Sequence, residues 1–304
     1  MAYEKFKLGK FDGVKAYEIL LGLGYSMKEA QRLCDKGRVL DSSGAVMAKN
    51  SVANGEIFLV DYKCEPAGLK PIFECEEFAV FDKPSGVLSH PNGRNCKYSL
   101  YDEIWSLYGR KAAVAHRLDK ETSGVILVAK NTSVLNELKL LFENRAVKKS
   151  YFALVSGKVE RNLIIDEPIA GALSDDEVLI KMRICAGGKR AVTEIYPIEY
   201  FSEFNATLVK AVPLTGRQHQ IRLHLFHGKH KILGDPLYGT DTATFEAILD
   251  EKLSRSERVQ KTGASRLCLH AASLSFEFNG QIYDIQTKAD FKSEFLKALN
   301  LPNY

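Results

Sequence analysis

No apolar run in this chain approaches the roughly 18–20 residues that a membrane-spanning helix requires, so no membrane partner is expected. The opening stretch, MAYEKFKLGKFDG, has no apolar core of the kind a secretory signal carries. Both absences point to a cytoplasmic site of action. Cysteine is sparse and scattered, at positions 34, 64, 75, 96, 185 and 268, with no CxxC pair and no zinc-ribbon spacing. Most of these thiols are expected to be small buried apolar residues of a reduced protein. Neither GxGxxG after a strand nor GxxxxGK[ST] occurs, which excludes the dinucleotide-binding and P-loop enzymes, and HExxH is missing too. Charge of either sign is not in large excess: Lys and Arg number 42 against 38 Asp and Glu, a net +4. A partner rich in phosphate would therefore have to be met by the distribution of the basic residues, not by their total.

What is present is an ordinary globular composition, 45% hydrophobic and 26% charged over 304 residues. That length suits about two domains. Residues 1–62 read as a small separate unit. Val14 to Leu21 is apolar at helical spacing, and Gly22 and Gly24 end that helix. Ser26 with Glu29 three residues later forms a capping-box pattern for a second helix, and Gly37 is placed to stop it in the left-handed conformation. Short β-type runs follow at Val39–Leu40 and Ile57–Val60, with Ser42-Ser43-Gly44 as the turn between them. Lys28, Arg32 and Lys36 fall four residues apart and so share one helix face, which Arg38 is expected to extend. Such a stripe is most often a solvated face.

Residues 63–71, KCEPAGLKP, hold prolines, a glycine and no periodic pattern, and read as a linker. The larger domain is then 72–304. Strands are predicted at Phe78–Phe81, Val125–Ala129, Tyr151–Val155, Thr193–Glu199, Ala206–Val212 and Leu274–Phe278. Helices are predicted at Leu100–Leu107, Ser133–Glu143, Gln218–Leu225 and Phe291–Leu299. Many strands with few, irregularly placed helices indicate a mixed α+β domain, not a regular βαβ series. The polar stretch 240–266 reads as a surface insertion or a loop plus helix.

The densest chemistry lies in Ala115-His116-Arg117-Leu118-Asp119-Lys120-Glu121-Thr122-Ser123-Gly124, which runs into the apolar strand VILVA. Asp119 therefore sits on a loop carried by a rigid strand, where functional residues concentrate. A lone Asp in such a loop is more often a turn or cap residue. Here HRLDKETSG closely resembles the signature of the RluA family of pseudouridine synthases. Further segments match that family in order: EFAVFDKPSGV at 77–87, KSYFALVSG at 149–157, LTGRQHQIRLH at 214–224 and LGDPLYG at 233–239. The N-terminal unit, with its run EAQRLCDKGRV, resembles the S4 RNA-binding domain.

The resemblance implies a catalytic domain with a mostly antiparallel, bent central sheet, preceded by an S4-like domain. It implies an isomerase that turns uridine into pseudouridine in RNA, with Asp119 as the nucleophile. The reaction breaks the N-glycosidic bond, turns the base and rejoins it through C5. It needs neither redox change nor net hydrolysis, so no cofactor and no metal is expected. Arg222 matches the family arginine that pairs with the catalytic Asp and would favour its ionised form. Arg117 matches the residue that fills the space left by the flipped base; its planar guanidinium suits that role. Tyr151 matches the tyrosine that packs on the base, and is a candidate for the closing proton transfer. His116 and Leu118 are placed with Arg117 at the substrate, Ile221 and Leu223 as an apolar pocket wall. Lys28, Arg32, Lys36 and Arg38 are placed on RNA through the S4 resemblance. Arg145, Lys148, Lys149, Lys181, Arg183, Lys189 and Arg190 are expected to line the RNA face. Two departures from the family pattern stand out: Gln218 where many relatives carry Thr, and KHKIL at 229–233 in place of the commoner GHPIL.

The S4-like domain makes large-subunit ribosomal RNA the leading substrate, with transfer RNA as the alternative; a monomer is the default state. Two rivals are weighed against this. A metal-dependent hydrolase would use His219, His224, His227 and His230, but no Glu stands among them. A non-catalytic RNA-binding module would have no use for Asp119, Tyr151 and Arg222 together.

Overall fold

The computed structural model describes residues 3–91, 96–174 and 177–299. The chain divides into two compact units, Met1–Pro66 with Pro91–Tyr98, and Ala67–His90 with Ser99–Tyr304.

The first unit begins with a long strand that sequence patterning did not anticipate, β1 (Tyr3–Lys15). It carries charged residues and glycines at 9 and 13 where the ladder with its partner shifts register, which masks the period-two signal. Val14 belongs to this strand, paired with Ala53, so helix α1 (Ala16–Gly22) starts later than the apolar spacing suggested. Helix α2 (Met27–Asp35) starts as read: Glu29 N donates to Ser26 Oγ and Ser26 N to the Glu29 carboxylate. Gly37 follows with φ +64°. Strands β2 (Val39–Leu40) and β3 (Val52–Tyr62) complete an antiparallel sheet in the order β1-β3-β2. The turn at 42–44 is built on Asp41 Oδ1, which accepts from Ser43 N and Ala45 N. It folds the chain back on itself at the Leu40–Val46 bridge and does not lead into β3. Ile19, Leu20, Cys34, Ile57 and Leu59 form the small core between the helices and the sheet.

The second unit starts inside the expected linker, because Ala67 N and Gly68 N donate to the Glu103 carboxylate at 2.5 and 3.3 Å. Its elements run β4 (Phe73–Glu74), β5 (Phe78–Lys83), α3 (Leu100–Tyr108), β6 (Ala113–Val114), β7 (Ser123–Ala129) and α4 (Thr132–Glu143). Then come β8 (Lys148–Ser156), β9 (Leu163–Asp166), β10 (Ile169–Ala170), β11 (Arg183–Ile184), β12 (Val192–Phe201), β13 (Ala206–Pro213) and α5 (Gln220–His227). The chain continues through α6 (Thr242–Leu249), α7 (Arg255–Thr262), β14 (Leu269–Phe278), β15 (Gln281–Gln286) and α8 (Phe291–Leu299).

Ten of these strands form one sheet, in the order β4-β5-β7-β14-β8-β13-β12-β9, with β6 beside β7 and β15 beside β14. Every pairing is antiparallel except β14 with β7, so the mixed α+β, mostly antiparallel expectation holds. All seven residues of β7 are buried; a strand covered on both faces has no polar alternation, which is why SGVILVA reads as a continuous apolar run. Strands β7 and β14 approach closely at this parallel contact. Gly124, at φ +109°, lies so close to β14 that a Cβ there would come within 2.1 Å of the Ala271 carbonyl oxygen. The glycine of the 115–124 segment is therefore set by strand packing. Stretch 240–266, expected as an insertion, forms the two helices α6 and α7. It is not a detached surface feature: Arg258 of α7 is paired with Glu121 in the Asp119 loop and donates to the Gly234 carbonyl.

Candidate active site

The Asp119 loop is held from beneath by the 82–86 turn. Lys83, fully buried, donates to the carbonyls of Pro84, Val87 and Lys120 at 3.1, 2.7 and 3.0 Å. Three acceptors match the three donors of an ammonium, although burial pushes its pKa down to about 7. Ser85 Oγ donates to the Glu121 carbonyl and Gly86 N to that of Lys120. On the other side Ser89 Oγ brackets Leu118, donating to its carbonyl while accepting from its amide.

The facing wall comes from the 214–222 segment. Gln220 ties this loop down with all its polar atoms: Oε1 accepts from Thr215 Oγ1 and Arg217 N, and Nε2 donates to Val192 O and Thr193 Oγ1. His219 stands before α5 with φ +54°, so the helix begins at Gln220, two residues later than its apolar spacing indicated. A non-glycine residue in this region is a strained conformation of the kind found at functional sites. Arg222 then emerges from the first turn of α5, buried, and its Nη1 donates to Asp119 Oδ2 at 2.8 Å. Its Nε and Nη2 donate to Asp235, each at 2.8 Å. His219 Nε2 lies 3.8 Å from the same Asp119 oxygen, with Nδ1 3.2 Å from the Tyr238 hydroxyl.

Electrostatics follow from this arrangement. Burial by itself would raise the Asp119 carboxyl, but Arg222, His219 and Lys83 outweigh it and hold the group below its ordinary value. Asp119 is thus a carboxylate whose Oδ2 is fixed, and no hydrogen bond reaches Oδ1 among the described residues. Arg222 stays protonated, because its two carboxylates more than offset its burial. Burial, and after it the Asp119 charge, raise the Tyr151 phenol above its ordinary value, so it rests as a neutral hydroxyl. His219 is pushed down by burial.

A cleft of about 470 Å³, open to solvent, collects these groups. Arg117, Leu118, Asp119, Tyr151, Ile221 and Arg222 all line it. Each was singled out in the sequence. His116 and Leu223 were singled out too, and neither lines the cleft. The His116 ring packs on Phe142 at 4.6 Å, and its Nε2 accepts from Leu127 N; burial lowers its pKa to about 3. It serves as a neutral brace of the loop. Leu223 packs with Leu237, Tyr238 and Phe245. Two residues of helix span about 200°, so Ile221 and Leu223 face opposite ways. In the first unit Lys28 and Arg32 are exposed on α2, and Lys36 is exposed at its C-cap. Arg38 leaves the stripe: its guanidinium lies 4.5 Å from the Tyr3 ring centre and 3.9 Å from Asp61. Of the basic residues assigned to an RNA face, Lys149 lines the cleft, Arg190 pairs with Asp166, and Arg183 donates to the Gly171 carbonyl.

Sequence reasoning gave no role to Asp235, Lys83 or Tyr238, and gave His219 only a rival one as a metal ligand. Asp235 and Tyr238 stood within the quoted LGDPLYG, so the signal was there; their partners are 13 and 19 residues away. The four histidines weighed as metal ligands diverge. His224 binds Thr193 and the Glu167 carbonyl, and His230 the Ser156 carbonyl. Among the described residues no cluster of three metal-binding side chains forms, and no helix is long and apolar enough to cross a membrane.

Comparison with known proteins gives a consistent picture. Residues 77–227 match the family model described as RNA pseudouridylate synthase. An RNA pseudouridine synthase of Helicobacter pylori (strain ATCC 700392 / 26695) is 41% identical, over 90% of this chain and 90% of that one. The ribosomal large subunit pseudouridine synthase C of Vibrio parahaemolyticus is 33% identical, over 75% of this chain and 67% of that one. A tRNA pseudouridine(31) synthase of Saccharomyces cerevisiae is 35% identical, over 57% of this chain and 46% of that one. The solved human RNA pseudouridylate synthase domain containing 1 superposes with a TM-score of 0.59 at 24% identity, covering 78% of this chain and 89% of that one.

Proposed function

The chain belongs to the RNA pseudouridine synthases, and from that premise we propose that it isomerises uridines of large-subunit ribosomal RNA with Asp119 as its nucleophile. One observation carries the assignment of Asp119: its carboxylate is fixed through Oδ2 by Arg222 at 2.8 Å, inside the cleft that Tyr151 also lines. A carboxylate kept ionised and positioned, with one oxygen unengaged, is what a covalent route needs. The free Oδ1 serves equally for attack at the sugar C1′ or at the uracil C6. In both cases the N1–C1′ bond breaks, the base turns, a C5–C1′ bond forms, and the C5 proton leaves while N1 gains one.

Tyr151 packs on the uracil ring in this reading. As a resting neutral phenol it is a poor base. Once Asp119 is esterified its charge is gone, and one of the two causes that raise the phenol goes with it. Arg117, exposed at the cleft edge, fills the gap left by the flipped nucleotide. Base flipping costs a few kcal/mol, which its stacking and hydrogen bonds help to offset. The first unit acts as an S4-like RNA-binding domain through Lys28, Arg32 and Lys36. The protein works as a cytoplasmic monomer without cofactor.

Ribosomal RNA is favoured by the likeness to the large-subunit enzyme, which extends over two thirds of that protein, against less than half of the yeast tRNA enzyme. The test is a map of pseudouridine in ribosomal and transfer RNA from cells lacking this protein, complemented by the wild type or by Asp119→Ala. Large-subunit sites that only the wild type restores are the expected result. A missing transfer RNA site overturns the substrate, and restoration by the variant overturns the nucleophile.

A further inference from the structure

The cleft holds more positive charge than its own residues balance. Arg117, Lys149, Arg217 and Arg222 line it with the Asp119 carboxylate, and Asp235 stands behind Arg222. Four cations against two carboxylates leave two positive charges in excess. Arg222 is fully engaged, and Arg217 is anchored through its Nε on the Arg190 carbonyl. Lys149 differs. Its ammonium makes no hydrogen bond and no ion pair among the described residues. Its side chain is partly buried, and burial lowers its pKa with no carboxylate to oppose the shift. Its ammonium lies against Gly216 across the cleft, where a Cβ would come within 3.3 Å of Nζ. A cation drawn partly out of water without a partner costs free energy, and that cost is recovered only if something anionic completes the site.

The geometry names the anion. Lys149 and Tyr151 alternate on β8, so they share one face, about 6–7 Å apart along the strand, and both reach the cleft. A uridine seated with its base on Tyr151 and its sugar toward Asp119 offers only neutral groups there. Its one charged part is the phosphodiester, which lies one sugar away from the base, on the scale of the Tyr151 to Lys149 spacing.

We propose that Lys149 is a phosphate-binding residue for the nucleotide being isomerised, its ammonium taking the phosphodiester attached to the uridine whose base meets Tyr151. The assignment rests on the reading of the cleft given above and adds to it a specific anchor. Lys149 is met only by a nucleotide already turned into the cleft, unlike the exposed basic residues, which any RNA backbone reaches. Flipping and backbone capture become one event, and free uridine, lacking the phosphate, lacks the anchor.

The test uses the full-length protein and a synthetic RNA hairpin carrying a mapped target uridine, made either with natural phosphates or with one uncharged methylphosphonate at that uridine. The wild type is expected to bind the methylphosphonate hairpin roughly tenfold more weakly. Lys149→Gln should bind both hairpins alike and lower the salt slope of binding by about 1; Lys149→Arg should restore most of the preference. Thermal unfolding of each variant identifies any that fails to fold, and the wild-type comparison of the two hairpins stands without them. If the wild type converts both hairpins and binds them equally, Lys149 holds no phosphate and the assignment is overturned while the isomerase reading stands. A salt slope unchanged in folded Lys149→Gln overturns it likewise. If the wild type converts neither hairpin, the reading of the cleft falls and this assignment falls with it.

Discussion

Arg222 and Asp235 are joined by two parallel hydrogen bonds, Nε to Oδ2 and Nη2 to Oδ1, each 2.8 Å. Both side chains are almost wholly buried, 6% and 1% exposed. Asp235 Oδ1 also accepts from the amides of Leu237 and Tyr238, so the turn at 235–238 fixes the carboxylate that aims the guanidinium. What remains, Nη1, is directed at Asp119. Lysine could not replace this arginine, because a point charge cannot bridge two carboxylates in a fixed fork.

Asp235→Asn is therefore expected to cost activity without touching the substrate. The buried arginine loses one of its two counter-charges, and breaking a buried pair destabilises by about 3–5 kcal/mol. Misaiming Arg222 should lower kcat/KM by up to about 100-fold. Urea unfolding and steady-state kinetics measure the two effects; wild-type kinetics in this variant would show that Asp235 does not aim Arg222.

Asp119→Asn should behave differently. Arg222 keeps its fork with Asp235, so the stability change should stay within about 2 kcal/mol. Pseudouridine formation should fall below detection while RNA binding persists. A residual rate within tenfold of the wild type would remove Asp119 from the nucleophile role.

The pH dependence separates Asp119 from other groups. Its folded pKa lies below the ordinary carboxylate value, which is about 3.9 in the unfolded chain. A depressed acid stabilises the fold above the unfolded value, and that stability is lost as pH falls through the folded value. As far as Asp119 is concerned, kcat/KM should be flat from neutrality down to about pH 4 and fall only below it. Arg222→Gln removes the first of the groups that hold the carboxyl down and leaves burial to push it up, so the acid limb should move to higher pH. A limb that stays in place in this variant would mean that Arg222 does not set the charge state of Asp119.

Gly124→Ala tests the tight contact between β7 and β14. Its Cβ would meet backbone 2.1 Å away, at φ +109°, and overpacking plus strain should cost at least about 2 kcal/mol. Gly86→Ala is the control: φ is +84° but nothing lies within 4 Å, so only about 1 kcal/mol of backbone strain is expected. Equal denaturation midpoints would show that the sheet yields at Gly124.

Much of the fold was legible because its signals are local. The Ser26–Glu29 capping box, the apolar run of β7 and the periodic helices α3, α4 and α8 each follow from neighbours a few residues apart. Strand β1 was missed because its glycines and charges hide the alternation, and it is defined only by pairing with β3 some fifty residues away. The start of α5 was misplaced by two residues because Gln220 ties back to Val192 and Thr193, a bond no spacing reveals.

The candidate site divides the same way. Sequence by itself determined the residue types that the proposed chemistry calls on, since Asp119, Arg117, Tyr151 and Arg222 stand in runs dense enough to be recognised. Only the tertiary structure decided which of them meet. His116 sits three residues before Asp119 yet braces Phe142, and Leu223 turns away from the cleft that Ile221 lines. Arg222, His219 and Lys83, distant from Asp119 along the chain, converge on its carboxylate, and Asp235 acts on it only by aiming Arg222. The physical reason is that a side chain's direction is local, set by helix or strand period, whereas the charge a carboxylate feels is the sum over every group the fold brings within a few ångströms.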